Sequence, residues 1–206
     1  MTKIIFYPVS NHYLCTNIYP HLYNIMSRTS IIQYQGLDLK DLIIALEKDY
    51  YSVLEELCKK ASSFSLKRAA DYHVTEIYTN LSIVIIEQIK NIIEERKKVI
   101  VPYMNELLEK SSSGHDCQNC SGGCKVNHSF HLKQLEDSHY NVREMLHRLQ
   151  KLAIPLYSEE QYSNAYRSLR NEMLLIDTTI SEMFFVEESL LIPKMFDAKT
   201  KINASA

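Results

Sequence analysis

Tryptophan is absent from this 206-residue chain, and glycine is scarce, with four in all. Tight β-hairpins depend on residues that tolerate positive φ, so a sequence this poor in glycine is not built from hairpins and reads as long helices with few joints. Charge of one sign is lacking too: the formal net charge is −2, which gives no whole-molecule attraction for nucleic acid. No run approaches the roughly 18 consecutive apolar residues that span a bilayer, and the opening MTKIIFYPVSNHY is too polar and interrupted for the apolar stretch of a signal peptide. A cytoplasmic protein with neither a membrane nor a nucleic-acid partner is expected. There is no glycine-rich phosphate loop, no G-x-S-x-G and no H-E-x-x-H, so no catalytic residue is assigned and the reading leans away from an enzyme. Five cysteines, an odd number without an export signal, argue against a disulfide scaffold and leave metal binding or free thiols.

What the chain does contain is helical periodicity. Asp38 is a suitable N-cap, and Leu39, Leu42, Ile43, Leu46, Tyr50, Val53, Leu54 and Leu57 follow with three- and four-residue spacing. This predicts a helix over 38–61, interrupted by SSFS at 62–65. A second helix is predicted over 65–110, with Ile77, Leu81, Val84, Ile85, Ile89, Ile92 and Val99 on its stripe and a bend near Pro102. A third, over 128–153, carries Leu132, Leu135, His139, Val142, Leu146, Leu149 and Leu152. The fourth, over 158–195, starts at Ser158 and carries Leu169, Met173, Ile176, Ile180, Met183, Glu187 and Leu190. Four long amphipathic segments with modest loops predict an all-α, antiparallel four-helix bundle over 37–196. Residues 1–36 read as an irregular packing segment and 197–206 as a flexible tail.

Three of the four glycines, Gly114, Gly122 and Gly123, lie in or beside the stretch HDCQNCSGGCKVNHSFH, within the loop 114–128 between the second and third helices. Cys117, Cys120, Cys124 and His128 form C-x2-C-x3-C-x3-H. Two thiolates at C-x2-C spacing converge on one tetrahedral ion, and the paired glycines free the chain to turn, so structural zinc is the expected cofactor here. A redox-active dithiol, a labile iron–sulfur cluster and a loop with no metal are the alternatives. His115 and His131 are further donors. If the third helix were continuous, Cys124 would lie about 20 Å from His139 at roughly 1.5 Å per residue, which makes any core site separate.

His139 and Glu187 are the polar residues on otherwise apolar stripes. A buried, unpaired carboxylate is too costly to keep, so Glu187 should have a partner, be protonated or bind a cation; the plain alternative is a satisfied core histidine and a carboxylate at the stripe's edge.

The segments EERKKVIVPYM, LKQLEDSHYNVREMLHRL and EMFFVEESLLIPKMF resemble the second, third and fourth helices of hemerythrin-like domains, and the similarity covers roughly residues 38–196. The resemblance implies a bundle core holding two oxygen-bridged non-haem irons, with oxygen binding, oxygen or nitric-oxide sensing, or repair of iron centres as the function. It assigns His139 to the third-helix histidine, Glu187 to the last-helix carboxylate and His73 to the histidine at the start of the second helix. Elsewhere the chain departs from the pattern: Met183, Ile92 and Arg96 stand where the last-helix histidine and the second-helix histidine and glutamate belong, and Tyr50 or Tyr51 stands near the first-helix histidine. Neither isoleucine nor arginine donates to iron, so a full diiron centre is not expected. Arg96 would instead pair with Glu187, or else extend to solvent with Lys97 and Lys98, and a tyrosine hydroxyl would close the remaining space. Three functions compete: a hemerythrin-like protein without its full iron centre, acting as a metal-stapled binding or regulatory module; an iron-dependent sensor or repair protein on His139, Glu187 and His73; and a metal-free scaffold for a protein partner.

Overall fold

A computed structural model describes the backbone of residues 31–65, 73–113, 124–153 and 164–204, and the side chains of 31–65, 76–113, 130–153 and 164–202. Among the described residues only Gly36, Leu37 and Asp38 are not helical, and there is no strand. The protein is all-α.

Four long rods follow a short helical stretch at 31–35. The first, α1, consists of Leu39–Leu46, a π-helical turn Glu47–Tyr51 and Ser52–Ser65. The second, α2, consists of His73–Glu95, a π turn Arg96–Ile100 and Val101–Ser113. The third, α3, is the uninterrupted helix Cys124–Ala153. The fourth, α4, consists of Asn164–Val186, a π turn Glu187–Leu191 and Ile192–Ala204.

Asp38 starts α1 as its sequence suggests: its backbone is extended, and its carboxylate accepts the Asp41 N–H at 2.8 Å, satisfying one donor that the first turn leaves open. The serines that were expected to end this helix do not. Ser62, Ser63 and Ser65 donate their hydroxyls to the carbonyls of Cys58, Lys60 and Ser62, so each is accommodated within the helix, and α1 runs through Ser65. The third helix begins within the region read as loop, at Cys124. The last helix continues past 196 through Ala204, because Ala198 and Ile202 are buried and give that stretch an apolar side, so the expected tail is helical over most of its length. Ser158, the expected start of the fourth helix, lies outside the described residues.

Ser52–Ser65 packs against His73–Glu95 and against Asn164–Val186, His73–Glu95 packs against α3, and Val101–Ser113 packs against Ile192–Ala204 and Leu39–Leu46. The core between the rods is aliphatic and aromatic, with Leu42, Leu46, Leu54, Ile85, Ile89, Ile176, Ile180 and Phe184 fully buried. Val53, Ile77, Val84 and Val99 were expected on buried stripes and are exposed. Two of the four are at π turns, Val53 just after one and Val99 within another, where the extra residue shifts the stripe.

The π turns of α2 and α4 share a local cause. Arg96 precedes Pro102 and Glu187 precedes Pro193 at the same spacing, and each proline is followed two residues on by a methionine, Met104 and Met195. A helical proline lacks an N–H and crowds the carbonyl four residues back. In both rods the residue just before the proline, Val101 or Ile192, donates its N–H five residues back, to the carbonyl of Arg96 or Glu187. The widened turn takes up the misfit where an expected bend would have done so. The π turn of α1 has no proline; there the carbonyl of Glu47 accepts both the N–H and, at 2.9 Å, the hydroxyl of Ser52.

Candidate functional site

Each π turn contributes a residue to one buried polar cluster, and α3 supplies two more. Arg96 and Glu187 open their π turns and Tyr51 closes the first one, while Ser138 and His139 lie on the inner face of α3. Arg96, Tyr51 and Glu187 have no solvent exposure, and His139 has 1%.

Glu187 is the centre. Its Oε1 accepts the Tyr51 hydroxyl at 3.1 Å and the Arg96 Nε–H at 3.2 Å. Its Oε2 lies 2.6 Å from His139 Nε2 and 3.4 Å from Arg96 Nη2. Arg96 Nη2 also donates to Ser138 Oγ at 2.6 Å, and the Ser138 hydroxyl donates in turn to the Leu135 carbonyl at 2.7 Å. Toward the surface, His139 Nδ1 lies 3.0 Å from Glu188 Oε1, and Arg143 clasps Glu188 through Nη1 at 2.6 Å and Nη2 at 3.0 Å. Phe184 covers the imidazole at 4.2 Å between ring centroids, with the Arg143 guanidinium 5.5 Å from its own ring.

The protonation of His139 follows from this geometry. Both ring nitrogens face carboxylate oxygens, which only accept, so both nitrogens must carry a proton and the ring is an imidazolium. Burial opposes that charge, and the hydrogen bonds to Glu187 and Glu188 outweigh it, leaving the His139 pKa raised. Burial likewise opposes the charge on Glu187, but Arg96 and then His139 more than offset it and hold the carboxyl at about 2. Glu188 is held at about 2, against partial burial, by His139 and Arg143. Burial, and after it the Glu187 carboxylate, pushes the Tyr51 hydroxyl well above its ordinary value, so it is a neutral donor.

These shifts fix the sign of a pH profile. The depressed carboxyls contribute stability that is present above their ordinary value of 4.5 and is lost as pH falls toward 2. The raised histidine contributes stability that is complete below its ordinary value of 6.5 and is lost as pH rises through the higher folded value. Urea unfolding from pH 3 to pH 9 should therefore show the cluster contributing most near pH 5–6.5. His139→Gln should remove the alkaline decline and leave most of the acid one; a parent profile flat between pH 6 and pH 9 would contradict a charged His139.

The structure thus brings His139 and Glu187 together and places Arg96 and Tyr51 between the rods with them. Tyr50, the other candidate tyrosine, is buried against the Tyr34 ring, with the ring centroids 6.0 Å apart. Its backbone alone could not have shown which of the two turns inward, because the π turn buries both. Three participants were not singled out by their sequence positions: Ser138, Glu188 and Arg143. The i,i+4 spacing of His139 and Arg143 and the adjacent acids Glu187 and Glu188 were the available signals.

Other sequence candidates fall elsewhere. Cys117 and Cys120, with the rest of 114–123, lie outside the described residues. His73 opens α2, and Cys124 and His128 lie in the first part of α3, on segments whose side chains are not described. His131 approaches Gln134 at 3.2 Å, and its ring lies tilted against that of Tyr103 with the centroids 4.4 Å apart.

Among the described residues no group of three or more His, Cys, Asp or Glu side chains is arranged to hold a metal ion. The buried cluster does not fit a pair of irons on chemical grounds. Both Glu187 oxygens are engaged by N–H and O–H donors, a guanidinium occupies the same pocket, and a metal cation would have to displace one cation and lie against another. Met183 and Ile92 are buried and bring no oxygen or nitrogen donor from their side chains. No helix among the described residues is long and apolar enough to cross a membrane. No family model, curated protein or solved structure matches the chain.

Proposed function

We propose that the chain is a hemerythrin-like antiparallel four-helix bundle that has lost its full diiron centre and acts as a binding or regulatory module stapled by zinc at the Cys-rich loop. The observation that carries this reading is the pairing of Arg96 with a fully buried Glu187 beside His139. The resemblance assigns two of these three residues to iron ligands and the third to a lost one, and the three meet at one point. The contacts of the rods support the bundle: the late part of α1 packs on the early parts of α2 and α4, and its early part packs on the late part of α2, as antiparallel neighbours do.

With the core charge balanced by side chains, no oxygen chemistry is required of it, and the remaining metal-binding material is the loop. Cys117, Cys120, Cys124 and His128 would close a tetrahedral zinc site and tie the end of α2 to the start of α3. A protein partner then meets a module whose shape is set by the bundle and whose loop is held by metal.

Metal analysis of full-length protein, purified without added metal or a histidine tag, tests the reading. About one zinc per chain is expected, lost in Cys117→Ser with Cys120→Ser, and acidification should release it before the helices melt, because zinc holds thiolates and not thiols. Stoichiometric iron with oxo-to-iron absorption, or no bound metal together with freely reactive thiols, would reject it.

A further inference from the structure

We infer that Arg96, with His139 as its companion, is the resident cation of the core, standing where the resemblance places a metal, so that the cluster is a permanent lock between three π turns and not an exchangeable metal site. This rests on the reading of the rods as a hemerythrin-like bundle only for the phrase "where the resemblance places a metal"; the lock itself stands on the contacts.

Charge gives the first reason. Glu187 and Glu188 supply two negative charges, and Arg96 and His139 supply two positive ones against them; at the margins Arg143 pairs with Glu188 and Glu95 with Arg96, one further charge of each sign. The group is neutral without any ion from solvent. Geometry gives the second. The Arg96 fork reaches both Glu187 oxygens, through Nε and Nη2, and the same Nη2 reaches Ser138 on α3. A planar cation with diverging N–H groups is thereby matched to a carboxylate and a hydroxyl on two other rods, which a lysine's single ammonium could not reproduce.

Placement gives the third reason. The residues opening the π turns of α2 and α4 are the two halves of the ion pair, and the residue closing the π turn of α1 donates to the same carboxylate. A π turn offsets the downstream stripe by one residue, so each rod has a competing α-helical register in which its inner face is rotated. Coupling all three to one carboxylate makes the three offsets interdependent. On the surface side, Glu188 and Arg143 cover His139 with side chains about 40% exposed, and Glu95, a quarter exposed, covers Arg96. Exchange of an ion would have to open that clasp and displace a side chain tethered to the backbone.

The test is chemical rescue. Arg96→Ala leaves a guanidinium-sized space lined by Tyr51, Ser138, His139 and Glu187. Its thermal midpoint should fall by roughly 10 °C, as breaking a fully buried pair does in a chain of this size. About 10 mM guanidinium chloride, far below denaturing concentration, should raise that midpoint by about 3–5 °C over equal sodium chloride, through binding to the native state alone. Wild type should show no such rise, nor should Arg96→Ala with Glu187→Gln. If Arg96→Ala does not fold, Arg96→Lys takes its place: a folded protein with a midpoint several degrees below wild type is expected.

The inference is overturned by an Arg96→Ala midpoint that guanidinium does not raise, or by Arg96→Lys equal to wild type. It is overturned as well if wild type with Cys117, Cys120 and Cys124 changed to serine retains stoichiometric ferrous iron or zinc that Glu187→Gln loses. The zinc content of the loop does not enter these readings. A chain without loop zinc that shows guanidinium rescue would reject the proposed function and leave the lock standing.

Discussion

Glu187→Gln is expected to lower the stability of the fold by about 3–5 kcal/mol, the range seen when one partner of a buried ion pair is removed. Glutamine keeps the shape and one oxygen but gives up the charge. It leaves Arg96 without a counter-ion in a site with no solvent exposure and turns an amide N–H₂ toward either the guanidinium or the imidazolium. The loss is greater than a single neutral hydrogen bond would account for, about 1 kcal/mol, because the remaining cations are desolvated and not merely unbonded. Urea unfolding at pH 6, where both carboxyl and imidazole are charged in the parent, reads the change as a fall in midpoint with the slope unchanged. A loss below about 1 kcal/mol would mean that Glu187 does not carry the lock. The same variant bears on metal: a parent protein that held core iron would lose it on this substitution.

Phe184→Ala should be of comparable size, about 3–5 kcal/mol, for a different reason. Phe184 is fully buried, and removing its ring leaves a cavity that close-packed rods fill only in part. The ring also lies 4.2 Å from the His139 imidazole, shielding it from water, and 5.5 Å from the Arg143 guanidinium. Two effects can therefore be separated. Phe184→Leu should restore most of the volume but not the aromatic face, recovering more than half of the lost stability while the alkaline limb of the pH profile moves to higher pH, because better hydration of His139 relieves the burial that opposes its charge. Equal stabilities for alanine and leucine would show that packing at this position does not govern the cluster.

Both changes act where the sequence was partly readable. His139 and Glu187 stood out because each interrupts an apolar stripe, and a carboxylate there had to be answered by something. That Arg96 answers it could be anticipated from the resemblance but not from its surroundings, since Arg96 sits in ERKK, where Lys97 does what such runs ordinarily do and pairs with Glu55 at the surface, at 2.7 Å. Its charged neighbours give no sign that an arginine here has no exposed area. Arg96 continues the spacing of Ile85, Ile89 and Ile92 into the interior, and what holds a charge there is the carboxylate that another rod supplies. The serines at 62–65 misled in the opposite direction: serine is common at helix ends, but each of these hydroxyls found a carbonyl within its own helix.

The sequence by itself determined that the protein is helical, that its long segments bury one stripe each, and that Asp38 starts the first rod. Those properties are set by residue spacing and by backbone donors within a few positions of one another. It also placed three cysteines and a histidine at metal-binding spacing, which is a local property. Tertiary structure alone decided which of two adjacent tyrosines reaches Glu187, that Ser138, Glu188 and Arg143 complete the cluster, and that an arginine lies in the core. Each of those facts depends on residues far apart in the chain meeting at one depth, and the energy that decides them, charge compensation among groups removed from water, exists only after the rods have packed.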